Sequence, residues 1–248
     1  MKMKHILNFS SSLCFLLMFT LAQAQEKPAA TSNVEQVADS IPVKKDRYGL
    51  RVGVDLFKLT RGFYDKNYKG IELTGDFRWN KKYYLAAELG NENKTTEDDR
   101  LTSNSKGSYL KAGFDYNMYE NWLDMENIIS IGLRYGLSSF SQELNSYKIY
   151  NAHPYWGELP PIPATEQFNG LSASWIEVVT GMKAKMFNNV FVGFSVQLKT
   201  LVTNKKPEGF DNLYIPGFNR TYNGSFGIGF NYSVTYFVPL YKKKVVVK

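Results

Sequence analysis

Cysteine, histidine and long apolar runs are all scarce in this chain of 248 residues. The single cysteine, Cys14, lies in a short apolar segment near the N-terminus, and the one histidine beyond that segment is His153. Without cysteine, disulfides and thiol chemistry are excluded for the rest of the chain. One histidine does not supply the ligand set of a zinc site, so we expect no metal and no cofactor.

An enzyme is a weaker hypothesis that the sequence leaves open. Ser141, Glu143, Ser146 and Glu158 lie in the same connection as His153. A base beside a nucleophile is therefore conceivable, as in a lipid-modifying enzyme, but no spacing motif supports it. The favoured prediction is a protein without catalytic activity.

The N-terminus is typical of an exported protein. Lys2 and Lys4 precede an apolar core at 13–21, which ends in Ala22-Gln23-Ala24, so residues 1–24 are predicted to be a cleaved signal peptide. The apolar core is far shorter than the roughly 20 residues that a spanning helix needs. Residues 25–46 are polar and lack aromatics, and we expect a flexible periplasmic leader. The formal charge of +7 comes without a basic run interleaved with aromatics, so nucleic acid is not expected as a partner.

The strongest pattern is the strict alternation over residues 224–237. Ile228, Phe230 and Tyr232 alternate with Gly229 and Asn231, which indicates a strand with one apolar and one polar face. Seven earlier segments repeat this pattern, and there is no convincing helix. The eight predicted strands are 48–56, 70–79, 83–90, 107–117, 129–138, 171–185, 190–199 and 224–237.

The connections between these segments alternate between longer and shorter ones. The longer ones are 60–69, 91–106, 140–169 and 203–223, and the prolines in 153–163 exclude a central strand there. Short periplasmic turns and long outer loops are typical of outer-membrane barrels. The fold prediction is therefore an all-β, single antiparallel up-and-down transmembrane barrel of eight strands over residues 47–239, with a basic periplasmic tail at 240–248. A soluble barrel with its apolar residues inside is the alternative.

Aromatic residues near the predicted strand ends suggest two interfacial girdles. They are Tyr48, Trp79, Tyr83, Tyr116, Tyr236 and Phe237 on the periplasmic side, and Phe57, Phe63, Phe140 and Trp175 on the outer side.

Charged residues concentrate on the polar faces of the strands. An eight-stranded barrel has an interior that its own side chains fill. Buried charges must be paired, so we expect a salt-bridged internal plug. Its predicted members are Arg51, Asp55, Glu72, Asp76, Arg78, Glu88, Lys111, Asp115, Arg134, Glu177, Lys183 and Lys199.

The two long connections at 140–169 and 203–223 are rich in aromatics and prolines. Tyr and Trp are enriched at binding hot spots, and proline limits the entropy lost on docking. The candidate partner-binding residues are Tyr147, Tyr150, Tyr155, Trp156, Phe210 and Tyr214. The alternative is that these loops fold over the barrel mouth and seal it.

This layout resembles the small outer-membrane β-barrel proteins of the OmpA and OmpX type, over roughly residues 47–239. The closing pattern Gly229, Tyr232, Val234 and Tyr236 is similar to the signal that barrel-assembly machinery recognises, although the chain continues past Phe237. In detail it also resembles outer-membrane barrels grouped as a domain of unknown function.

That resemblance implies fold and location but no residue-level chemistry. The functional prediction is a non-enzymatic outer-membrane subunit, surrounded by outer-membrane lipid, that docks a lipoprotein or an assembly or transport complex. A narrow, porin-like channel for a small solute is the alternative.

Overall fold

Alternating apolar and polar residues build eight antiparallel strands in a computed structural model, which describes residues 43–120, 125–150, 155, 157, 159–220 and 224–246. The predicted signal peptide and nearly all of the predicted leader lie outside these residues. The strands are β1 Val43–Asp55, β2 Tyr68–Arg78, β3 Tyr83–Asp98, β4 Leu101–Asn117, β5 Ile128–Tyr147, β6 Ile162–Lys185, β7 Val190–Asn204 and β8 Phe226–Val246.

Each strand pairs with its neighbours in the chain, and β8 pairs with β1 to close the ring. This confirms the predicted eight-stranded up-and-down barrel. We call the end with the short turns, where β1 begins and β8 ends, the floor, and the end with the long connections the mouth.

The pleat turns apolar side chains outward and polar ones inward. On β5, Leu133 and Tyr135 are more than two-fifths exposed, whereas Arg134 between them is only 4% exposed. On β8, Phe230 and Tyr232 are exposed while Asn231 is buried. A soluble barrel would have the opposite arrangement, because water penalises a continuous belt of exposed apolar side chains.

One helix, α1 at Leu56–Tyr64, interrupts the all-β pattern and was not predicted. Asp55 caps it, because its side chain accepts a hydrogen bond of 2.8 Å from the backbone N–H of Phe57. Lys58 is buried on one face, and Phe63 is exposed near the end. Within the described residues no helix is long and apolar enough to cross a membrane.

The strands extend beyond their predicted ends on both sides of the barrel. At the mouth, β3 and β4 continue as a hairpin to Asp98 and Leu101, and β5 and β6 continue to Tyr147 and Ile162. At the floor, Val43–Arg47 pairs with Lys242–Val246. The end of the predicted leader and most of the predicted tail therefore belong to β1 and β8, because two neighbouring strands keep pairing past the floor.

The residues predicted for the aromatic girdles divide into an exposed group and a buried group, with Phe57 and Tyr116 intermediate between them. Trp79, Tyr83 and Tyr236 are exposed near the floor, and Phe63 is exposed near the mouth. Four others are buried, because Tyr48 stacks on Tyr241 while the side chains of Phe140, Trp175 and Phe237 share the inward parity of the polar residues. Trp175 and Phe140 belong to an apolar cluster inside the mouth, not to an outer girdle.

Candidate functional site

The interior of the barrel brings together the twelve charged residues predicted to form a plug. Ten of them are less than a tenth exposed. Arg78 and Lys183 are partly buried, with 17% and 25% of their side chains exposed. Their ion pairs form layers from the floor to the mouth.

The floor layer is built around Glu126, which sequence reasoning did not single out. Arg47 donates from Nε to Glu126 Oε1 at 2.7 Å, and Lys185 Nζ donates to Oε2 at 2.8 Å. Arg78 lies 3.4 Å from Asp46. These contacts join residues that are far apart in the chain, so they tie β1 to the turns on the other side of the floor.

Acid is expected to weaken this layer. Burial of the Glu126 carboxyl opposes its ionisation, but hydrogen bonds from Arg47 and Lys185 outweigh burial and lower its pKa from 4.5 to about 2. A lowered pKa in the folded state stabilises the fold above the unfolded value, and that stabilisation is lost as pH falls through the folded value. Because the site is partly exposed, we expect Glu126→Gln to cost about 1 kcal/mol at pH 7, and the cost to fall steadily between about pH 4.5 and pH 2.

Denaturant unfolding of the native protein and of Glu126→Gln between pH 7 and pH 2 measures how their difference in stability shrinks as the pH falls. The exposed Glu120 in the same turn provides the control, since Glu120→Gln is expected to change stability little at any pH. A cost for Glu126→Gln that stayed constant down to pH 2 would contradict the assignment.

The middle layer contains two arginine–aspartate pairs. Arg51 Nε donates to Asp76 Oδ1 at 2.7 Å, and its guanidinium lies 4.8 Å from the centre of the Tyr84 ring. Arg134 forks onto Asp115 with contacts of 2.8 and 3.0 Å. A planar guanidinium fits a carboxylate in this two-pronged way, and both pairs are fully inside the wall.

The upper layer is centred on Lys111, which is 1% exposed. Its Nζ lies 2.6 Å from Glu88, 3.2 Å from Glu72 and 3.9 Å from Glu177. Lys199 adds a second cation, 3.5 Å from Glu177. Lysine is long enough to reach the centre of the lumen, so one ammonium serves carboxylates from β2, β3 and β6.

Above this layer the last connection folds into the mouth. Glu92 is fully buried and accepts hydrogen bonds from the Tyr214 hydroxyl at 2.7 Å and the Gly217 N–H at 3.0 Å. Ile215 and Phe218 are 0% exposed and join the apolar cluster. We call residues 211–219 the mouth segment. It seals the lumen with apolar side chains that are anchored by one carboxylate.

Tyr214 is therefore not a docking residue, although it was predicted to be one. It is 5% exposed, because its hydroxyl reaches down to Glu92. Phe210 stacks on Phe168 with 5.9 Å between ring centres. Trp156 lies outside the described residues.

Three of the six candidate docking residues are exposed. Tyr147 is 39%, Tyr150 68% and Tyr155 86% exposed. The Arg100 guanidinium lies 4.3 Å from the ring centre of Tyr150, which links the two extended hairpins.

Lys58, Glu92 and Glu126 are the interior residues that the predicted set omits. Glu92 continues the inward parity of Glu88 on β3, so a longer predicted strand would have included it. Lys58 reaches Glu72 at 2.7 Å and Glu92 at 2.8 Å from α1. No strand periodicity indicates Lys58, because it lies in a helix.

This arrangement is suited to holding a structure together more than to chemistry. Each carboxylate of the three layers already has a cation within 4 Å. Among the described residues no group of three or more candidate ligands is placed to hold a metal ion. His153 and Glu158, which the enzyme hypothesis needs, lie outside the described residues.

A closed ring of eight antiparallel strands, an apolar outer belt and an ion-paired interior define a small outer-membrane β-barrel protein. Residues 6–243 match the family described as domain of unknown function DUF6048, and the chain belongs to this family. No curated protein sequence matches the chain. The fold is similar to that in the crystal structure of Ail, the attachment invasion locus protein of Yersinia pestis. The TM-score is 0.40 and the sequence identity 12%, with 77% of this chain and 97% of Ail covered.

Proposed function

We propose that this protein is a non-enzymatic outer-membrane subunit that docks a partner protein at the cell surface. In this proposal residues 1–24 direct export, the floor faces the periplasm and the mouth faces outward. The observation that carries it is a sheet of four strands, β3 to β6, that continues above the mouth, with a long open edge on β6 and a short one on β3.

The open edge belongs to β6. Residues 162–172 pair with β5 on one side, whereas pairing with β7 begins only at Ala173. Nearly all side chains at 162–170 are exposed, and β6 carries no lysine or arginine there to discourage pairing. An unpaired edge of this kind is a template for an added strand. We call residues 162–170 the docking edge.

The partner in this proposal presents an extended segment that adds to the docking edge as a further strand. Main-chain hydrogen bonds then provide affinity, and side-chain contacts provide specificity. Exposed aromatics on the same β5–β6 hairpin, Tyr147 and Tyr150, supply contact area of the kind found at hot spots. Below the sheet, ion pairs fill the lumen, and every carboxylate layer has its cations. A filled lumen favours the docking role over a solute channel.

Lysines placed on the docking edge test the proposal. Thr165→Lys with Gln167→Lys should block strand addition, because charged edge side chains oppose pairing. Thr96→Lys with Thr102→Lys adds the same charge to the neighbouring hairpin and is the control. Each tagged protein is purified in mild detergent from its own membranes, and bound proteins are identified by mass spectrometry.

A partner present in stoichiometric amount with the native protein and the control, but lost from the edge variant, is the expected result. In that complex, the amides of the docking edge should also exchange more slowly with solvent. A partner that stays with the edge variant, or a native protein that purifies alone, would overturn the docking proposal.

A further inference from the structure

The barrel wall has a notch in its upper half, between β8 and β2. Pairing of β1 with β8 stops at Asp55 and Ser233, and pairing of β1 with β2 stops at Val54 and Leu73. Both outer strands continue past these points, β8 to Phe226 and β2 to Tyr68. Among the strands that the structure describes, none lies between these two segments.

Helix α1 covers this notch from the outside. The Phe57 ring lies 4.6 Å from Phe230 and 5.6 Å from Tyr232, both on the apolar belt of β8. Among the described residues, no backbone hydrogen bond joins α1 to β8. At membrane depth an unpaired strand edge is tolerated only where protein covers it or where it lines a polar cavity.

A polar cleft lies at this edge, under α1. Asp55, Lys58, Lys199, Gln197 and Asn231 contribute to its lining. The cleft leaves about 20 Å³ for the centre of a water-sized group, enough for one such group. It is narrow and mostly polar, and the rings of Phe57 and Phe230 also line it.

One buried polar atom in this cleft lacks a partner. Asp55 is 0% exposed; its Oδ1 caps α1, but its Oδ2 accepts no hydrogen bond. The side-chain amide of Gln197, which is 4% exposed, lines the same cleft. A buried atom such as Asp55 Oδ2 is costly unless something supplies the missing hydrogen bond.

The charges around the cleft define which ligand would fit. Lys58 is held by Glu72 and Glu92, and Lys199 by Glu177 and the Gly217 carbonyl oxygen. A phosphate would meet the Asp55 carboxylate, and an ammonium would meet these cations. A hydroxyl group suits this lining, since it can donate to Asp55 Oδ2 and exchange hydrogen bonds with the Gln197 amide.

We propose that the cleft binds the uncharged, hydroxylated headgroup of a membrane glycolipid. One hydroxyl enters the narrow part and donates to Asp55 Oδ2. The rest of the sugar occupies the opening under α1, and the acyl chain lies along the outward rings of Phe230 and Tyr232. This site is independent of the docking edge.

A detergent with a sugar headgroup provides the probe. The protein in phosphocholine micelles is titrated with dodecyl maltoside while the side-chain amide signals of Gln197, Asn219 and Asn231 are followed by NMR. We expect saturable shifts with dodecyl maltoside and none with a polyoxyethylene ether of the same chain length. Maltose alone should bind at least about tenfold more weakly, because it lacks the chain that contacts the apolar belt.

Two conservative variants test the assignment of the site. Asp55→Asn keeps a good helix cap but replaces the acceptor, and is expected to weaken the binding of dodecyl maltoside about tenfold or more. Gly229→Ala places a Cβ 2.9 Å from Gln197 Oε1 and 3.0 Å from Lys199 Cε, which narrows the cleft. Its control is Gly75→Ala, where the nearest atom is 3.7 Å away.

The proposal is overturned if dodecyl maltoside gives no saturable shift, or if the ether gives the same one. Equal affinity for free maltose would also contradict a lipid ligand. Unchanged binding by Asp55→Asn, or equal loss in Gly229→Ala and Gly75→Ala, would remove the cleft as the site.

Discussion

Replacing Lys111 by methionine is expected to lower the free energy of unfolding by about 3–5 kcal/mol. Methionine has a similar length, so the change removes the ammonium more than the volume. It leaves Glu72 and Glu88 buried, at 0% and 8% exposure, without their central cation. The cost arises because a buried charge that loses its partner cannot recover the water it gave up on folding.

Denaturant unfolding in lipid vesicles measures this cost. Lys106→Met, at an exposed position on the same strand, is the control and should change stability by less than about 0.5 kcal/mol. The double variant Lys111→Met with Glu88→Leu should be less destabilised than the sum of the two single variants, because both partners of one pair are removed together. A near-native Lys111→Met protein would show that the charged layers do not hold the barrel together.

Replacing Glu92 by leucine is the second change with a large expected effect. It removes the acceptor for Tyr214 and for the Gly217 N–H, and one of the two carboxylates that hold Lys58. We expect a loss of about 3–5 kcal/mol, concentrated in the mouth segment, since two hydrogen bonds to a charged group are lost and each is worth about 1.5–3 kcal/mol.

Amide hydrogen exchange locates this effect. The Gly217 amide should exchange at least about tenfold faster in Glu92→Leu, while amides of the middle layer near Arg134 change little. Glu97→Leu, at the exposed tip of the same strand, serves as the control. If protection of Gly217 persisted in Glu92→Leu, the remaining contacts of the segment, namely the apolar packing of Ile215 and Phe218 and the hydrogen bond from Lys199 to Gly217, would be enough to hold it.

The sequence predicted the ring of strands because alternation is a local property. The alternation of side chains from Ile228 to Tyr236 shows which face of β8 is apolar and which is polar, whatever strands lie beside it. The same holds for every strand. The same parity placed Arg134 and Asp115 on one side of the wall. The parity could not show that Arg134 and Asp115 form an ion pair, because that depends on the strand register across the barrel.

Other features of the molecule depend on contacts that no local pattern contains. Helix α1 follows directly on β1, and its nine residues are too few to show a helical period against a strand background. Tyr214 looks like any aromatic residue of a long loop, and only the folded chain brings it to Glu92. The sequence did not predict the extension of β5 and β6, because a proline such as Pro163 argues against a central strand. Pro163 is nevertheless compatible with the edge strand in which it lies.

The docking proposal requires that the docking edge of β6 lies on the outer side of the membrane. Cysteine labelling tests this requirement most directly. Cys14 is the chain's only native cysteine, so a chain without the new cysteine serves as the background control. Glu166→Cys on the docking edge and Lys82→Cys at the floor are each treated in intact cells with a maleimide that cannot cross membranes. The account predicts labelling at position 166 in intact cells, and at position 82 only after the outer membrane is permeabilised. Labelling of position 82 in intact cells, with position 166 protected until permeabilisation, would contradict it.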